Sequence, residues 1–205
     1  MRAFFNALGR MILPVAALFS VFALAYLGST RFVTQFDVFP PDQWFLNPGY
    51  WLTYGHMALP LIFLVLNLVN RKYGPGTSIA SVIVTWALVA GTLIWAITTY
   101  GLGTVEGQVA SLGIMATFFG ALFAGQLVSI YVFDQVRGIP WWRAPFYGAL
   151  FGGLIFAGFF YGAEEPWANR LAVMAGIYAG AAFLNVFIYW ALRALIRPLP
   201  GFGGA

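Results

Sequence analysis

The chain has 205 residues, of which 61% are hydrophobic before its 24 glycines are counted and only 8% are charged. A soluble domain carries about 25% charged residues, so a soluble globule is excluded and a polytopic membrane protein is expected. The lack of cysteine excludes disulfides, thiolate metal sites and thiol nucleophiles, the single histidine excludes a histidine-cluster metal site, and a net charge of +4 from ten scattered basic residues is no nucleic-acid footprint.

A helix needs about 20 mostly apolar residues to cross a bilayer, and six segments qualify. The first, 11–27, follows Arg2 and Arg10 and ends near Ala23-Leu24-Ala25. That arrangement has the shape of a secretory signal, but it is read here as a retained first helix. Residues 28–50, with Pro40, Pro41, Pro48 and Gly49, predict a structured external loop with a short turn. Helices are then expected at 51–69, 78–98, 109–132, 145–163 and 171–195, joined by short connections. Gly74-Pro75-Gly76 is a turn without the context of a phosphate loop. The expected fold is all-α: one six-helix membrane domain over 1–205.

Charge orients this domain. The N-terminus and alternate connections hold Arg2, Arg10, Arg71, Lys72, Arg137, Arg143, Arg193 and Arg197 with one acid, Asp134. The opposite side holds Arg31 and Arg170 against Asp37, Asp42, Glu106, Glu164 and Glu165. The positive-inside rule then puts both termini in the cytoplasm. Trp44, Trp51, Trp95, Trp141, Trp142 and Trp167 fall at helix ends, where interfacial anchors belong. No charge is left near the bilayer centre, where one costs at least about 2.5–3.5 kcal/mol and usually marks a transport or proton-relay site.

The polar residues inside the expected spans are few. His56, Pro60, Phe63, Asn67 and Asn70 share one helix face; so do Gln126 and Ser129, and so do Tyr178, Asn185 and Tyr189. His56, Asn67, Asn70, Gln126, Ser129, Tyr178 and Asn185 are therefore the candidate ligand-lining residues. The competing reading is interhelical hydrogen bonding, at about 0.6 kcal/mol per contact on average. His56, near an external end, reads as a hydrogen-bonded imidazole rather than a proton carrier. Small residues four apart, Gly148 with Gly152, Gly158 with Gly162, Gly176 with Gly180 and Ala121 with Gly125, predict close helix packing, within the bundle or against a partner. Glu164-Glu165, before Pro166, reads as a solvated loop rather than acid–base machinery. No catalytic constellation or metal ligand set is found, so an enzyme is not expected.

Three stretches carry a family resemblance: Phe63-Leu64-Val65-Leu66-Asn67-Leu68-Val69-Asn70-Arg71-Lys72-Tyr73-Gly74-Pro75, then Gln126-Leu127-Val128-Ser129-Ile130-Tyr131-Val132-Phe133-Asp134-Gln135-Val136-Arg137, and Trp141-Trp142-Arg143-Ala144-Pro145 followed by Leu150-Phe151-Gly152. In this order, and with the six-helix layout, the chain resembles the queuosine-precursor transporter family, also called the vitamin uptake (VUT) family. The resemblance spans about 51–195. It implies an inner-membrane six-helix fold similar to the substrate-binding components of vitamin importers, and uptake of deazaguanine-type precursors. It also exposes departures. The family pattern has an aspartate where this chain has Asn67, Ser129, Phe156 and Gly176, and a lysine at Gly180. Phe156, Gly176 and Gly180 are expected to fill or close the pocket that a purine-like substrate would need.

The leading expectation is thus an accessory subunit of this fold, without transport activity. It would dock through aromatic and glycine-rich faces onto a larger membrane assembly, with a respiratory or photosynthetic complex as a natural host. Membrane lipids and other membrane subunits are the expected partners. No cofactor is required, although the aromatic surface suits bound lipid, quinone or pigment. The alternatives are a transporter with a neutral site, or a solute-binding component that docks an energising ATPase through Arg71, Lys72, Arg137 and Arg143.

Overall fold

The computed structural model describes residues 2–36, 47–100, 112–162 and 168–198. Asp37, Asp42, Trp44, Glu106, Glu164, Glu165 and Trp167, which entered the topology and loop expectations, lie outside these residues. Among the described residues seven helices follow in chain order: α1 (Arg2–Gly28), α2 (Tyr54–Ala58), α3 (Leu61–Tyr73), α4 (Pro75–Tyr100), α5 (Leu112–Gln135), α6 (Arg143–Tyr161) and α7 (Ala168–Arg193). Short 3₁₀ turns cover Thr34–Phe36 and Pro48–Tyr50, and Phe32 and Thr53 form an isolated antiparallel bridge. There is no strand among the described residues.

Among the described residues, five helices are long and apolar enough to cross a membrane: α1 over Gly9–Gly28, α4, α5, α6 and α7. They make the chain a multi-pass helical membrane protein. The helix expected at 51–69 is present in a different form. It is divided at Leu59 and Pro60 into the single-turn α2 and the 13-residue α3. Pro60 has no N–H to give to the carbonyl one turn back. The chain crosses the break with tighter bonds, Ile62 N–H to Leu59 O at 3.0 Å and Phe63 N–H to Pro60 O at 3.2 Å. α3 alone is about 20 Å long, short of the bilayer's apolar core of about 30 Å.

The ends of this divided segment are chemically fixed. Thr53 caps α2: its side chain accepts from the His56 N–H, while the Thr53 N–H donates to His56 Nδ1 at 3.1 Å. α3 runs four residues past the expected end and stops where Gly74 takes a positive φ of 82°, directly before Pro75.

α3 lies at the middle of the bundle, in contact with α1, α4, α5, α6 and α7. Ile62, Phe63, Leu66, Asn67 and Asn70 on it are buried. The broadest seams are α5 on α6 and α6 on α7. Glycine sets the first of these. A Cβ added at Gly152 would lie 2.7 Å from the Phe63 ring, 2.7 Å from Ser129 Cβ and 2.8 Å from the Gly125 carbonyl oxygen. One added at Gly125 would lie 2.5 Å from the Gly152 carbonyl oxygen, and one at Gly148 would lie 2.9 Å from Asn67 Oδ1. Gly153, which the spacing rule misses, does the same for the second seam, facing the Tyr178 ring at 2.5 Å.

The other two expected glycine pairs do not pack inside the chain. Among the described residues nothing lies within 4 Å of an added Cβ at Gly158, Gly176 or Gly180, and at Gly162 only the preceding turn of its own helix is met. All four are exposed. Gly176 and Gly180 therefore close no internal pocket: the helix face they share points away from the bundle.

Candidate functional site

Of the candidate ligand-lining residues, Asn67, Asn70, Gln126, Ser129, Tyr178 and Asn185 are buried and His56 is half-buried, and they do not all converge on one space. Each amide serves a different pair of helices. Asn67 Nδ2 donates to the Pro145 carbonyl at 2.9 Å and ties α3 to α6. Asn70 Nδ2 donates to the Ile130 carbonyl at 3.1 Å and ties α3 to α5. Asn185 Nδ2 donates to the Pro60 carbonyl at 3.3 Å, so α7 braces the break between α2 and α3. Gln126 Oε1 accepts from Trp86 Nε1 at 2.7 Å and ties α5 to α4. His56 is part of the α2 cap, as a hydrogen-bonded imidazole.

Between these braces the centre is filled with rings. Phe156 is fully buried, with its ring centroid 5.5 Å from Phe118, 5.7 Å from Phe160 and 5.6 Å from Tyr178. Phe63 meets Tyr178 edge-on at 6.0 Å. Edge and offset contacts of this kind add about 0.5–1.5 kcal/mol each to the burial itself. Of the residues singled out in the sequence, Asn67, Ser129 and Phe156 are together beside the α5–α6 glycine seam. Gly176 and Gly180 lie apart from them.

Three buried oxygens in this region have no hydrogen-bond partner: Asn67 Oδ1, Ser129 Oγ and Tyr178 OH. They are the polar remainder of the interior, each able to accept one further donor.

A second polar region lies where α3, α5 and α7 end. Arg137 Nη2 donates to Asn70 Oδ1 at 2.9 Å and to Asp134 Oδ1 at 2.9 Å. Arg71 Nε donates to the Ile196 carbonyl at 2.8 Å, and its guanidinium lies 5.8 Å from the Tyr189 ring centroid. Tyr189 stacks on Trp141 at 6.5 Å, and the Arg193 guanidinium covers the Trp141 ring at 4.2 Å. Sequence reasoning treated Arg71 and Arg137 as available for docking an ATPase. Both are instead built into the bundle's own end, leaving Lys72 and Arg143 exposed there. The missed partners Trp86, Pro145 and Ile130 carry no sequence signal, because an indole and two carbonyls are acceptable anywhere in a membrane helix. Thr53 had one, the threonine-x-x-acceptor spacing of a capping box, with histidine in place of the usual glutamate.

The Gln126–Trp86 bond gives a direct measure of what these braces do. Gln126→Leu is expected to lower bundle stability by roughly 0.6–1.7 kcal/mol, the span measured for interhelical bonds in membranes, when unfolding is followed in mixed micelles. No loss would mean that the bond does not hold α4 to α5.

The class of protein defined by this architecture is a multi-pass helical membrane protein with a packed, ring-filled interior. No protein-family model, curated protein or solved structure matches the chain.

Proposed function

We propose that the chain is a non-enzymatic subunit of a larger membrane assembly, built on a six-crossing VUT-like bundle and lacking transport activity. In this reading α2 and α3 together make the sixth crossing, both termini face the cytoplasm, and the host is a complex of a bacterial inner membrane. The supporting observation is the interior. The amides are engaged in helix-to-helix bonds, and Phe156 occupies the middle of the bundle. A transporter needs an interior that can open and recognise its cargo; a subunit needs a firm interior and an exposed face. α7 has such a face: Ala172, Gly176 and Gly180 recur every fourth residue and are exposed, a small-residue track along which another helix can approach closely.

The test uses that face. Gly176→Leu with Gly180→Leu should leave the isolated protein folded, because no described neighbour lies within 4 Å of a Cβ added at either position. The same pair should abolish copurification of partner subunits after gentle solubilisation. A wild-type protein that purifies as a stable monomer without partners refutes the reading.

One observation favours a second reading, a transporter or solute-binding component for a queuosine precursor or similar small molecule. Asn67 Oδ1, Ser129 Oγ and Tyr178 OH are buried and unpartnered, and a heterocycle rich in N–H donors would satisfy them. In this reading the chain rescues precursor uptake in a strain lacking its own importer, and Asn67→Leu with Gln126→Leu abolishes the rescue. Failure of the intact chain to rescue removes the reading.

A further inference from the structure

An aromatic groove lies outside the bundle interior. It runs between the start of α6 and the second half of α7, holds about 710 Å³, and is lined by Trp141, Trp142, Phe146, Tyr147, Phe183, Val186, Phe187 and Trp190. Its volume is that of a small-molecule site, within about 300–1,000 Å³, and its walls are almost wholly apolar and aromatic. Phe183, Phe187 and Trp190 remain more than half exposed, as side chains facing acyl chains would be.

One end of this groove is cationic. The Arg193 guanidinium lies over the ring of Trp141, itself a groove wall, at 4.2 Å. Arg143 is exposed and adjoins the wall residue Trp142. Arg197 follows Arg193 by one turn's spacing and is exposed as well. The described acid nearest in sequence, Asp134, already holds Arg137 at 2.9 Å. The groove's mouth thus presents guanidinium groups beside an apolar trough that leads into the membrane.

We infer that this groove binds an anionic phospholipid, with acyl chain against the α6–α7 aromatic walls and phosphate between Arg193 and Arg143. Charge complementarity selects this occupant. A guanidinium offers paired N–H donors matched to phosphate oxygens, and basic pockets between helices at a membrane surface are suited to anionic headgroups. A zwitterionic lipid brings a quaternary ammonium to the same arginines. A partner helix would cover the rings and leave the cations unmatched. The inference is independent of which partner, if any, uses the Gly176–Gly180 face.

The test is native mass spectrometry of the delipidated full chain, titrated with phosphatidylglycerol and, separately, with phosphatidylcholine of the same acyl composition. Phosphatidylglycerol is expected to bind the wild type at least about fivefold more tightly, a margin of the size one charge-assisted contact supplies. Arg193→Gln with Arg143→Gln should bring the two lipids to within about twofold, while Arg193→Lys, which keeps the charge but not the planar pair of donors, should retain only part of the preference. Circular dichroism on each variant separates loss of the site from loss of the fold. Equal binding of the two lipids by the wild type overturns the inference, as does a preference that survives the double substitution. So does occupation of the groove by a quinone or a partner helix without headgroup preference.

Discussion

Gly152→Leu is expected to prevent the bundle from assembling in its native packing, with a stability loss of about 3 kcal/mol or more. The figure is the upper end of the usual cost of inserting side-chain atoms into a close-packed interior, about 1–3 kcal/mol. The upper end applies because relief is unavailable. The first added carbon alone would lie 2.7 Å from the Phe63 ring, 2.7 Å from Ser129 Cβ and 2.8 Å from the Gly125 carbonyl oxygen. The carbonyl belongs to a helix backbone and cannot rotate aside. Phe63 is held edge-on against Tyr178, which in turn packs on Phe156. α5 and α6 would have to separate along the most extensive seam in the molecule. Gly176→Leu is the matched control: the same chemical change on an exposed helix face, where nothing lies within 4 Å of the new Cβ. It should be neutral or slightly stabilising, since glycine costs a helix about 1 kcal/mol relative to alanine. Thermal unfolding in one detergent compares the pair. Similar losses for both would show that the α5–α6 seam does not depend on the missing side chain.

That contrast also defines what the sequence could and could not reveal. Spacing of four says that two glycines share a helix face; it does not say which way the face points. Gly148 with Gly152 and Gly176 with Gly180 are indistinguishable in sequence, yet one pair is enclosed by Asn67, Ser129 and Phe63 and the other is exposed. In a soluble protein the polar side of a helix would have decided the matter. Here both sides are apolar, so the signal is missing for a physical reason.

The same limit governs the amides. Their burial was legible, because Asn67, Asn70, Gln126 and Asn185 stand inside apolar runs where a polar group needs a partner. Their destinations were not, since backbone carbonyls such as those of Pro145, Ile130 and Pro60 leave no mark in the sequence. The positions of the long helices α4 to α7 follow apolar length and were readable to within a few residues, whereas the first helix begins at Arg2, well before its apolar run. The break at Pro60 was not read, because proline in an apolar run is compatible with a kinked helix and with two separate ones. Arg71 and Arg137 show how charge can be misread in the same way. Both are placed where the positive-inside rule wants them, and both are also partnered within the bundle end, which no charge count can detect.

Arg137→Leu is expected to loosen the joined ends of α3 and α5 and to lower stability by about 2–3 kcal/mol. Removing one member of a buried ion pair costs about 3–5 kcal/mol when both charges are out of water; the side chain of Asp134 is 32% exposed, against 7% for Arg137, and the smaller figure reflects that exposure. The loss is larger than that of a surface pair because one nitrogen, Nη2, serves both the Asp134 carboxylate and the Asn70 side chain at 2.9 Å. Asn70 is itself fully buried and donates to the Ile130 carbonyl at 3.1 Å. Without the guanidinium, Asn70 Oδ1 loses its donor and the carboxylate loses its counter-charge. Arg137 also places a positive charge beside the Asn70 carbonyl at the C-terminal turn of α3, where the helix dipole favours one. Arg137→Lys should recover part of the loss, because a single ammonium has charge but not the planar spread of the guanidinium. A double-mutant cycle with Asn70→Leu isolates the contact: a coupling of about 1 kcal/mol or more is expected for groups in one hydrogen-bonded network. The exposed Lys72→Leu provides the baseline. If Arg137→Leu unfolds no more easily than that variant, the ends of α3 and α5 are held by their apolar packing alone.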